Sequence, residues 1–70
     1  MNLKWEEGCI IRVSTEKDTV IMRLNRAGLL SLAGQLAALA EEKPGSHVHY
    51  DEYNSLETGS AELIIEHTAE

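Results

Sequence analysis

The stretch SHVHYDEYN, residues 46–54, carries the side chains of this chain best suited to chemistry. His47, His49 and Asp51 alternate with Val48 and Tyr50. Imidazoles can move protons or bind zinc, and a carboxylate can orient them. Residues two apart on a strand are separated by roughly 6.6 Å, so His47 and His49 can converge on one ion. Asp51 lies roughly 13 Å from His47 and cannot join it there. A third ligand would have to come from Glu62 or Glu66 across a sheet. Zinc sites show three or four clear ligands. His47 and His49 are therefore weak metal candidates, and no metal or other cofactor is expected.

Catalysis asks for still more. It needs a nucleophile or an acid–base pair, a group that orients it, and a pocket. Ser46 and Ser55 stand in no nucleophile motif, and no glycine-rich loop is present to cradle phosphate. Cys9 is the only cysteine and sits in an apolar run, which suits a small core residue. An enzyme is not expected. Two readings of the histidine stretch remain open. One is a solvated polar face on which His and Glu pair across strands. The other is a recognition patch, because Ile10, Ile21 and Ile64 fall on the same open side among Arg, His and Glu.

The elements that position this stretch follow from periodicity. Residues 9–15 and 19–24 alternate as strands around the polar break Glu16-Lys17-Asp18, which predicts a hairpin. Asn25 suits a helix N-cap. From 26 to about 42, Leu29, Leu32, Ala33, Leu36, Leu39 and Ala40 recur every three or four residues and are expected to face the core. Ser31, Gln35 and Ala38 fall away from that stripe, and Gly34 is the glycine expected to let the helix approach the sheet. Lys43-Pro44-Gly45 ends the helix. Residues 46–51 and 61–67 read as the third and fourth strands, with Val48, Tyr50, Leu63 and Ile65 inward. His47, His49 and Asp51 then point outward, beside Glu62 and Glu66 and near Arg12 and Arg23. Nine residues join these strands, against the usual two to five of a hairpin. Tyr53 and Leu56 must either pack back on the body or project as a binding tip. The expected fold is a two-layer α+β domain of order ββαββ over residues 1–70. One helix covers one face of a four-stranded, mainly antiparallel sheet.

Size and charge narrow the function. Seventy residues make one small domain, too small to enclose a large substrate cleft. Twelve acids against six bases give a formal charge of −6. That disfavours nucleic acid and anionic membranes, and favours a basic protein partner. No apolar run approaches the roughly 20 residues of a membrane span, and the first residues lack a signal-peptide core, so a cytoplasmic location is expected.

The C-terminal stretch GSHVHYDEYNSLETGSAELIIEH resembles the immunity protein 32 family of bacterial polymorphic toxin systems. The likeness rests on G-S-H-x-H at 45–49, Asp51, Tyr53-Asn54, Leu56-Glu57, Gly59-Ser60 and E-L-I-I-E at 62–66. It covers about a third of the chain strongly and the rest in general pattern. The resemblance implies a protein that binds and neutralises a cognate toxin without catalysis, and it carries over no catalytic residues. His47, His49, Asp51, Tyr53 and Asn54 become candidates for contact or for building the loop. With them, Tyr53 is a natural apolar anchor, and Asp51, Glu52 and Glu57 a natural acidic rim. The alternative is a small homo-oligomeric structural or regulatory domain that binds a ligand or metal, or dimerises, through the open sheet face.

Overall fold

Alternating apolar residues form the first hairpin. In the computed structural model, which describes residues 2–69, β1 (Ile11–Glu16) pairs antiparallel with β2 (Thr19–Leu24). Ile11 and Val13 stand opposite Leu24 and Met22 and turn into the core. The turn is the two residues Lys17 and Asp18, with Lys17 at a φ of 56°. The helix α1 follows as Arg26–Ala40. Its N-cap is Asn25, whose Oδ1 accepts from the Gly28 N–H at 2.8 Å. A second hairpin pairs β3 (His47–Tyr50) with β4 (Leu63–Glu66). Val48 and Tyr50 are buried, and Leu63 and Ile65 pack beside them.

The two hairpins do not merge into the expected four-stranded sheet. They remain two separate two-stranded sheets. The cause lies in residues 57–61, which run along the outer edge of β1. Glu57 N–H donates to the Ile11 carbonyl at 2.9 Å, and Ala61 N–H donates to the Val13 carbonyl at 2.8 Å. Four residues of one segment thus span two of the other, which no regular ladder accommodates. The Val13 N–H between them is taken by Ser60 Oγ at 3.1 Å instead of by a carbonyl. Gly59, at a φ of +89°, makes the turn inside this segment. The edge of β1 is satisfied, but by a kinked strap.

The helix is the larger correction. Its buried residues are Gly28, Ser31, Gln35 and Leu39. Of the stripe expected inside, Leu39 is buried and Leu32 packs half-buried against the core, but Leu29, 56% exposed, Leu36, 42% exposed, and the exposed Ala33 and Ala40 lie outside. The polar stripe faces inward because the segment before β1 lies against it with backbone groups to satisfy. Gln35, only 3% exposed, donates from Nε2 to the Lys4 carbonyl at 2.7 Å. Its Oε1 accepts from the buried Tyr50 hydroxyl at 2.8 Å. Ser31 Oγ accepts from the Glu6 N–H at 2.8 Å and donates to the Ala27 carbonyl. Asn25 completes the seam: its Oδ1 also accepts from Ile10 N–H and its Nδ2 donates to the Gly8 carbonyl. Among the described residues no buried side-chain nitrogen or oxygen lacks a partner.

The close-approach glycine is Gly28, not Gly34. A Cβ at Gly28 would stand 2.5 Å from the Ile10 carbonyl oxygen, whereas one at Gly34 would meet open space. Gly28→Ala is expected to lower stability by about 1–3 kcal/mol through that clash, despite alanine's better helix propensity. Gly34→Ala should raise it by about 0.5–1 kcal/mol. Urea denaturation of both variants checks the sign of each. Tyr50→Phe, which leaves the Gln35 oxygen buried and unpaired, should cost about 1–3 kcal/mol. Burial also raises the Tyr50 pKa above its ordinary 10.0. The folded state therefore holds the phenol proton more tightly than the unfolded chain. That contribution is complete below pH 10 and is lost as pH rises through the raised value. The corresponding alkaline fall in melting temperature should be absent in Tyr50→Phe.

Candidate functional site

The sequence stretch 46–59 becomes strand β3 and a tightly folded loop. Asp51 builds the loop: its Oδ1 accepts from the N–H groups of Tyr53 and Asn54 at 2.9 and 3.1 Å. Its own carbonyl accepts from Ser55 and Leu56 N–H. Asn54 closes the same turn. Its Nδ2 donates to the His49 carbonyl at 3.0 Å and its Oδ1 accepts from Asp51 N–H and from Ser55 Oγ. Short polar side chains that bond their own backbone two or three residues away are what such turns require. Glu52 reaches across the loop, its Oε2 accepting from the Gly59 N–H. Leu56 drops into the core at 5% exposed. The loop is thereby fastened at both ends, and Tyr53 stands on its crest at 95% exposed. Of the two fates open to this pair, Leu56 takes the packed one and Tyr53 the projecting one.

His47 and His49 both point outward from β3, with ring centroids 5.0 Å apart. His49 Nδ1 lies 3.4 Å from Glu62 Oε2, an ion pair when the imidazole is protonated. His47 stands across the ladder from Glu66, and its Nδ1 is 3.1 Å from the Gly45 carbonyl. Among the described residues no group of three or more His, Cys, Asp or Glu is placed to hold a metal ion. Arg12 and Arg23, expected near this face, belong to the other hairpin. Arg12 donates to the Thr58 carbonyl and Arg23 lies 3.5 Å from Ser14 Oγ. Beside the histidines lies an open groove of about 780 Å³, lined by Leu3 and by residues 42–49.

The candidate residues therefore divide by what they already touch. Asp51 and Asn54 are occupied in shaping the loop, and Glu52 is partly so. His47, His49 and Tyr53 offer their side chains to solvent, and Glu57 stands half-buried behind them. Two features of this neighbourhood escaped the sequence reading. One is the edge contact of Trp5 on Tyr50, with centroids 6.2 Å apart. The other is the outward leucine face of α1. Its signal was present, since no charged residue occurs from 27 to 40 and either stripe could therefore turn inward.

The domain is a small α+β fold that fastens one aromatic loop, with imidazoles and carboxylates beside it. Comparison with protein families makes the assignment. The model of the family described as Immunity protein 32 matches residues 19–68, and the chain belongs to that family. Searches of curated proteins and of solved structures found no match. Among the described residues no helix is long and apolar enough to cross a membrane.

If Asp51 builds the loop and Tyr53 only rides on it, their removal has opposite signatures. Asp51→Ala should destabilise the fold by about 1–2 kcal/mol, through two lost amide partners. Tyr53→Ala should change stability by less than about 0.5 kcal/mol, as exposed positions do. Guanidinium unfolding of the two single variants decides this.

Proposed function

We propose that this protein neutralises a cognate toxin by binding it directly, without catalysis, through β3 and the loop of residues 51–59. Family membership supplies the toxin partner. The observation that carries the choice of surface is Tyr53, an aromatic ring held out in water on a loop that the side chains of Asp51 and Asn54 hold in shape. Fixing such a loop before encounter lowers the ordering cost of binding. Aromatic anchors of this kind dominate interface energetics. His47 and His49 extend the surface along β3, and Glu52 and Glu57 give it an acidic margin. With a net charge of −6, that margin suits a basic toxin surface and would speed its approach.

The test uses the toxin encoded beside this protein's gene. Inhibition should titrate one to one and show no turnover. Tyr53→Ala is expected to weaken binding by about 2 kcal/mol or more, mostly through faster dissociation. Glu52→Gln with Glu57→Gln keeps an oxygen for the Gly59 N–H, so the loop survives. It should slow association at low salt and flatten the salt dependence. Kinetics unchanged in both folded variants would remove this surface from the account.

A further inference from the structure

The outer face of α1 is apolar from end to end. Leu29, Leu30, Ala33, Leu36, Ala37 and Ala40 are all exposed and lie opposite the buried Gly28–Ser31–Gln35–Leu39 face. On a helix these six fall within a sector of roughly 120°. A surface helix ordinarily reserves that sector for charged and polar residues, and an uninterrupted apolar strip marks a contact. Within the strip, Leu29, Ala33, Leu36 and Ala40 follow the four-three spacing of a coiled-coil seam, large and small side chains alternating.

We infer that this strip is a homodimer contact in which α1 packs antiparallel against α1 of a second copy. The strip is self-complementary in that sense. With the pair centred between residues 34 and 35, Leu29 meets Ala40 of the other copy and Ala33 meets Leu36. Each leucine is thus received by an alanine, and the axes can approach to about 8 Å. Charge supplies the second line. Arg26 and Glu41 bracket the strip, and their side chains make no ion pair or hydrogen bond with any described residue. Each also stands at the wrong end of its own helix dipole, a cation at the N-terminus and an anion at the C-terminus. In the antiparallel pair, Arg26 of one copy comes within about 3 Å, along the axis, of Glu41 of the other, by the helical rise. Both pairs then form at once, one at each end, as two-fold symmetry requires. The overall charge of −6 per copy opposes association, but the seam itself is uncharged, and repulsion beyond about 8 Å is screened at physiological salt. A contact of one short helix on another belongs to the weak end of protein interfaces, and a dissociation constant on the order of micromolar is expected. This face is separate from the loop that carries Tyr53, and the dimer does not depend on any toxin.

Sedimentation velocity of the full chain from 5 to 500 μM (concentrations chosen to bracket roughly that range) reads the result without any partner added. The expected outcome is a concentration-dependent shift from the 7.8 kDa monomer to twice that mass. Leu29→Lys with Leu36→Lys, both at exposed positions, should keep the fold by circular dichroism and raise the dissociation constant about tenfold or more. Arg26→Glu alone should weaken the dimer. Adding Glu41→Arg should restore it, which a parallel pair, with Arg26 facing Arg26, would not do. A single monomeric species throughout overturns the proposal. So does a dimer that the double lysine variant leaves intact, and so does a charge swap that fails to rescue. If the double lysine variant instead abolishes toxin binding while the parent chain stays monomeric, the strip belongs to the toxin and the dimer is wrong.

Discussion

The architecture hinges on the carboxamide of Gln35. It sits in the middle of the buried helix face and holds two things that would otherwise separate: the Lys4 carbonyl of the leading segment and the Tyr50 hydroxyl of β3. A buried polar group of this kind is costly unless all of its partners are present, which makes the arrangement selective as well as cohesive. Once Gln35 points inward, Ser31 and Gly28 must follow at helical spacing. Ser31 then finds Glu6 N–H, and Gly28 lets the Ile10 carbonyl come close. The leading segment is laid down along the helix as a consequence. The leucines on the other side of α1 are left in water by the same geometry.

That arrangement reaches the functional face through Tyr50. Its ring is almost fully buried, and it ends β3 one residue before Asp51. Anchoring Tyr50 fixes the start of the loop, and Leu56 fixes its middle in the same core. Asp51 and Asn54 then need only close a short turn to hold Tyr53 out. The strap of residues 57–61 returns the chain along β1 to β4. Core, loop and strap thus form one mechanical unit, and a recognition residue on its crest gains rigidity at little added entropic cost.

Much of this could be read from residue types. The strand positions, the Asn25 cap, the helix stop at Pro44-Gly45 and the outward histidines all followed from period and turn chemistry. The C-terminal motif led to the family. What could not be read was non-local. The helix carries leucines on one side and glycine, serine and glutamine on another, with no charge to mark which is wet. The choice is made by backbone groups of residues 4–10, thirty positions away in places, and no local pattern encodes it. The division into two sheets depended likewise on Ser60 replacing a carbonyl. At the candidate site, Asp51, Asn54 and Tyr53 were singled out together. Their different tasks appear only once the bonds of Asp51 and Asn54 are seen to be spent within the loop.

The central claim is that the fastened loop, with Tyr53 at its crest, is the surface that meets the toxin. Amide chemical-shift mapping of isotope-labelled protein titrated with that toxin tests it most directly. The largest changes are expected to cluster over residues 47–57, centred on Tyr53, with the buried face of α1 undisturbed. Changes confined to α1 or to the β1–β2 hairpin, with residues 51–57 unmoved, would contradict it.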